Sequence, residues 1–156
     1  MKILNGNPGV GIPLTEQQTK YFLNTSKLNI HIGTVDEKGH ANIHPVWYYY
    51  DTSNNKFYVL TGKDSKKVNN LKGNDIIYFC IDDPNPPYKG VRGKGIVKAH
   101  ENVNFNVPIA KKIAFRYIGT LDHPISYELV ERLKNGQGIV LEISPIYYST
   151  WDQSKL

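Results

Sequence analysis

The chain has one cysteine, only three arginines among its nineteen basic residues, and no long apolar run. Each scarcity excludes something. One cysteine cannot make an internal disulfide or a cysteine-based zinc site. Cys80 lies in residues 76–81 (IIYFCI), where a buried, inert thiol is expected. No stretch approaches the ~18 apolar residues of a membrane span. The opening MKILNGNPG breaks on Asn, Gly and Pro before a signal-peptide core can build, so the expected location is cytoplasmic. Base-specific nucleic-acid readers lean on the arginine fork, and Arg92, Arg116 and Arg132 are few for that task. No repeat, low-complexity tract or linker interrupts the 156 residues, so residues 1–156 are read as one domain.

What is present is a globular composition, 40% hydrophobic and 21% charged, which sets disorder aside. Eleven tyrosines suit strands, interfaces and the walls of ring-binding sites. A net charge of +5 favours an anionic partner: a phosphate ester, a nucleic acid or an acidic cofactor tail.

Along the chain, Thr15-Glu16-Gln17-Gln18 is a capping-box pattern ahead of Tyr21-Phe22 and predicts a helix after Pro13. From Leu28 the apolar period becomes two, and residues 28–32, about 40–50 and 57–61 are predicted as three strands of a meander. A short helix over about 65–72 is expected to close on Gly73 in a left-handed conformation. Residues 76–81 read as a strand buried on both faces. Residues 82–87 (DDPNPP) read as a loop, and residues 91–100 as a long strand whose Gly93 and Gly95 mark a bulge or close backbone approach. Helices over about 107–118 and 125–133 and a strand over 138–144 complete an α+β plan of six strands, a closed or partly closed barrel.

Residues 57–71 (FYVLTGKDSKKVNNL) carry chemistry. A strand ends at Thr61, a polar loop follows, and a helix begins at Ser65. The first N–H groups of a helix are unpaired and partly positive, which makes an anion site. The Thr61 and Ser65 hydroxyls and the Lys66 and Lys67 charges would complete a phosphate cradle. The alternative is a capped surface helix with solvated lysines.

The pattern T-x-x-x-S-K-K-V-x-N-L resembles the pyridoxamine 5′-phosphate oxidase-related superfamily, the split-barrel flavin and deazaflavin proteins. The resemblance extends to GTVDEKGHANIHPVWYYYD (33–51) and IIYFCIDDPNPPYKGVRGKGIVKAH (76–100). It implies a six-stranded antiparallel split β-barrel with flanking helices, dimerising with itself around two cofactors. By that resemblance His44, Pro45, Val46 and Trp47 lie along the cofactor ring, and Thr61, Ser65, Lys66 and Lys67 hold the phosphate and ribityl chain. Tyr88, Lys89 and the residues up to Arg92 face the partner's cofactor, and Trp151 packs near the ring. Two departures set the chain apart from true pyridoxamine phosphate oxidases. Gly90 stands where those carry glutamine, and no Arg-x-His follows Trp151. The resemblance therefore implies an FMN-dependent oxidoreductase acting on a small molecule other than vitamin B6. A deazaflavin-dependent reductase, a flavin-binding carrier or sensor without turnover, and a basic nucleic-acid-binding barrel stay open.

His31 and His44 would meet across a tight hairpin at residues 36–39, whereas a bulged turn would separate them; no third metal ligand accompanies them. No general acid or base is assigned, because hydride chemistry belongs to the cofactor.

Overall fold

The computed structural model describes residues 1–155. Among these, eight strands and four α-helices follow one another: β1 (Ile3–Asn5), α1 (Glu16–Thr25), β2 (Ile30–Val35), β3 (Ala41–Val46), β4 (Tyr48–Asp51), β5 (Lys56–Gly62), α2 (Lys66–Gly73), β6 (Ile76–Asp83), β7 (Lys89–His100), α3 (Val103–Ile118), α4 (Pro124–Lys134) and β8 (Gly138–Asp152). The strands join in the order β3-β2-β6-β7-β8-β5-β4, with β1 added parallel to β8.

β3 and β4 are the two ends of that path, yet only Trp47 separates them in sequence. One residue spans no more than ~3.6 Å, so the sheet must curl until its edges nearly touch. No backbone ladder joins β3 to β4 among the described residues, so the barrel is split at that seam. The fold is the expected antiparallel split barrel, with eight strands in place of six. The predicted meander is corrected here: the run 40–50 breaks at Trp47, and its halves pair with different partners, β3 with β2 and β4 with β5.

Alternation assigns the faces. Ile30, Ile32, Tyr48, Tyr50, Phe57, Val59, Ile77, Phe79, Ile81, Leu141 and Tyr148 fill the barrel interior. On the outside, α3 and α4 cover β5 and the first half of β8 through Tyr58, Ile109, Ile113, Leu133 and Val140, with Trp47 and Tyr117 stacked 4.7 Å apart at their margin. Arg116 donates to the carbonyls of Leu23, Asn24 and Ser26 and so closes the C-terminal end of α1.

The Thr15 capping box forms as expected, with Gln18 N–H 3.2 Å from Thr15 Oγ1 and Thr15 N–H 3.0 Å from Gln18 Oε1. The bulge falls between Lys94 and Gly95, and a β-carbon on Gly93 would stand 2.3 Å from the Tyr147 carbonyl oxygen. Three further expectations are overturned. Gly73 belongs to α2, and its cap is Asn74 in an extended conformation, not a left-handed glycine. β6 is buried on one face only, because no helix covers its outer side and Tyr78 is 57% exposed. β8 runs well past Ser144, because the first half of β7 supplies a pairing partner all the way to Asp152.

Candidate functional site: an anion cradle at the barrel mouth

Strand alternation points Thr61 inward at the end of β5, where the interior stops being apolar. The chain turns through Lys63 and Asp64, and Ser65 opens α2 with extended dihedrals (φ −66°, ψ 154°) but without a side-chain cap bond. Its hydroxyl lies instead 3.0 Å from Thr61 Oγ1. The N–H groups of the first turn of α2 are thus left open beside two hydroxyls.

Lys67 is the unusual member. It is 6% exposed, and its ammonium donates to Thr61 Oγ1 at 2.8 Å. No carboxylate lies within 4.0 Å of it among the described residues. Burial holds its pKa below the ordinary lysine value. A desolvated cation with hydroxyl company alone is costly, and it is the arrangement an anion would relieve.

His44, on the inner side of β3, completes the mouth. The Asn42 amide donates to its Nδ1 at 3.1 Å, which leaves Nε2 to carry the proton. Burial first, and the Lys67 charge second, lower its pKa, so the ring is neutral at physiological pH and can donate without adding charge. The cradle is anchored rather than floating: Asn70 Nδ2 bonds Thr34 Oγ1 at 3.0 Å, and Val68 and Leu71 pack against the core.

The other sequence-predicted residues are distributed as follows. Lys66 is exposed and lines an 890 Å³ groove between α2 and the β2–β3 turn, where Asp36, Lys38 and His40 also stand. Pro45 is exposed, Val46 packs on the barrel core, and Trp47 is engaged with Tyr117. Tyr88, Lys89 and Trp151 sit at the opposite end of the sheet. Tyr88 is exposed, Lys89 Nζ is 3.1 Å from Asp152, and the Trp151 indole lies so close over Gly90 that a β-carbon there would come within 2.2 Å of it. The β2–β3 register pairs His31 with Pro45 and Ile32 with His44, so the two histidines point to opposite faces. Cys80 is half-buried, and burial and the neighbouring Asp82 push its thiol up to about 11.

Two groups escaped the sequence reading. Asn42 was legible by parity, two residues from His44 on the same face. The burial of Lys67 rather than Lys66 was also legible, since Lys67 is four residues from the apolar Leu71 on one helix face.

Fold and site together define a split β-barrel with a buried lysine, two hydroxyls and open helix amides gathered at its mouth. A family model described as pyridoxamine 5′-phosphate oxidase matches residues 15–148, and the chain belongs to that family. Among curated proteins no sequence matches it. Among solved structures, a conserved hypothetical protein of Mycobacterium tuberculosis is similar with a TM-score of 0.78 at 19% identity, covering 94% of this chain and 89% of that one. An F420 reductase gives a TM-score of 0.64 at 20% identity, covering 81% and 93%. A heme storage protein of Vibrio cholerae gives 0.64 at 12% identity, covering 83% and 89%. At these identities the likeness speaks to the fold alone.

Proposed function

We propose that the chain is a flavin-type oxidoreductase that binds FMN and acts on a small molecule. The observation that carries this reading is the buried Lys67 ammonium, unpaired with any carboxylate among the described residues and flanked by Thr61, Ser65 and the open amides of α2. That donor set fits a phosphate dianion, which would supply the missing counter-charge and accept from all of these groups. His44 Nε2–H stands ready as a further neutral donor. The unladdered edge of β3 offers backbone groups beside Pro45 to the polar rim of a flat ring. When bound, the flavin supplies hydride transfer; the chain orients it and balances its charge.

The deazaflavin coenzyme is the alternative. The wide groove beside the cradle, walled by Lys38 and Lys66 together with Asp36 and Glu37, gives room for a cofactor carrying a longer tail. The reading also includes a homodimer. Its support is the sheet face left uncovered by helices, where Ile43, 68% exposed, and Tyr78, 57% exposed, line a cavity of about 620 Å³ with Leu4 and Tyr147, apolar surface of the kind that association buries.

Titration with FMN and with F420 in turn, followed by fluorescence and visible spectra, tests the cofactor, and light scattering tests the dimer. Saturable binding of one cofactor that Lys67→Met weakens by at least about tenfold is the expected result. Binding of neither cofactor would sink the redox reading. Binding without any reduction of the bound cofactor by nicotinamide donors or dithionite-independent substrates would leave a carrier.

A further inference from the structure

The strand β8 that begins beside the cradle ends, fourteen residues later, at a second cavity of about 350 Å³ under α1. Its floor is Asp152, fully buried, and two ammonium groups converge on that carboxylate: Lys89 Nζ at 3.1 Å and Lys155 Nζ at 3.9 Å from Oδ2. Asp152 Oδ1 is already committed to the Ser154 N–H and hydroxyl at 3.0 and 2.6 Å. Among the described residues that line the cavity, two cations therefore share one anion. Lys155 spends one donor on Gln18 Oε1 at 2.9 Å and Lys89 meets Asp152 as an ion pair, the buried Oδ2 having no hydrogen-bond partner among the described residues, so both ammonium groups retain open donors. The wall is of another character. Leu14 and Phe22 are apolar and partly or wholly buried, and Tyr21 stands at the lip, 70% exposed.

We infer that this cavity is a second ligand site, separate from the cradle, for a small anionic aromatic compound of one or two rings, such as an aromatic carboxylate. The size falls within the range of small-molecule pockets, and an apolar wall with a few convergent charged groups is their usual composition. The acid would meet the free donors of Lys89 and Lys155, whose positions the buried Asp152 fixes, and the ring would lie against Phe22 and the Tyr21 face. The site does not depend on the redox reading.

The probes are 2-naphthoate and its uncharged analogue 2-naphthalenemethanol, titrated into the full chain by calorimetry and by ligand-observed NMR. Naphthoate is expected to bind one saturable site, and the neutral analogue to bind at least about tenfold more weakly, as loss of a charge-assisted contact requires. Tyr21→Ala at an exposed position and Lys155→Ala at a half-buried one, both checked by thermal melts, are each expected to weaken naphthoate by about tenfold. Lys67→Met is expected to leave it unchanged. The inference is overturned if naphthoate shows no saturable binding up to about 10 mM, if the neutral analogue binds equally, if either the Tyr21 or the Lys155 variant keeps full affinity, or if Lys67→Met removes the binding.

Discussion

The two ends of β5 treat a lysine in opposite ways. At its start, Lys56 Nζ is 2.7 Å from Glu142 Oε1, and His100 Nε2 lies 3.2 Å from the other carboxylate oxygen. The Glu142 hydrogen bond raises the Lys56 pKa. Burial alone would raise the Glu142 carboxyl, but Lys56 and His100 more than offset that and hold it below its ordinary value. Just past the end of the same strand, Lys67 meets only hydroxyls, and its pKa is lowered by burial. The first cluster is complete within the chain; in the second, the proposed cofactor would supply the counter-charge. The contrast sets a structural ion pair against a proposed binding site using the chain's own residues.

The largest effect that tests the contrast is Lys67→Met. Each charge-assisted phosphate contact is worth about 1.5–3 kcal/mol, so FMN affinity should fall by roughly 10- to 100-fold or more. The ligand-free protein should gain stability, because an uncompensated buried charge disappears; about 1 kcal/mol would lift Tm by ~2–4 °C. A ligand-free Tm that drops would mean the lysine already has its partner.

Next in size is Glu142→Gln, which leaves Lys56 and His100 without their acid. Both partners keep some solvent contact, so the expected cost is about 1–2 kcal/mol of stability in a denaturant melt, with cofactor affinity unchanged. The pH sign follows from the lowered Glu142 value. Its contribution is present above the ordinary glutamate pKa of about 4.3 and is lost as pH falls through the folded value, so the variant should lose the wild type's steepest acid-side slope.

Lys67 gives a slope of the same sign in a more alkaline window. Its folded pKa is depressed, so between that value and the unfolded ~10.4 the unfolded chain holds more protons, and ligand-free stability rises with pH across that window. FMN affinity should decline over the same window, since the anion favours the charged amine. Parallel titrations of wild type and Lys67→Met would expose the difference; identical slopes would count against the buried amine.

The smallest expected effect is at Lys66, one residue away and exposed. Lys66→Ala should change FMN affinity by no more than about 3-fold, the range of a screened surface charge. It should weaken a deazaflavin with an acidic tail more than FMN, which makes it a cheap discriminator between the two cofactors.

Much of this was legible in the sequence where a signal is short-ranged. The Thr15 capping box, the helix over α3 ending on Gly119 (φ 86°), and the glycine-marked bulge in β7 are written in neighbouring residues. So were Thr61, Ser65 and Lys67, which lie within seven positions of one another. His44 joined them through the family pattern. What failed was whatever depends on a distant partner. The run IIYFCI looks buried on both faces, but no element arrives to cover Tyr78 and Cys80. Residues 40–50 look like one strand, but the sheet closes through Trp47.

By itself, then, the sequence determined the local grammar: where helices are capped, where strands turn, and which residue types could form an anion site. Those choices are settled by dihedral preferences and hydrogen bonds spanning a few residues. Only the tertiary structure decided that the desolvated lysine has no carboxylate beside it, which carboxylates are spent on ion pairs, and which sheet face stays open. Burial and charge pairing are properties of surfaces brought together from β2, β3, β5 and α2, and no stretch of chain contains them alone.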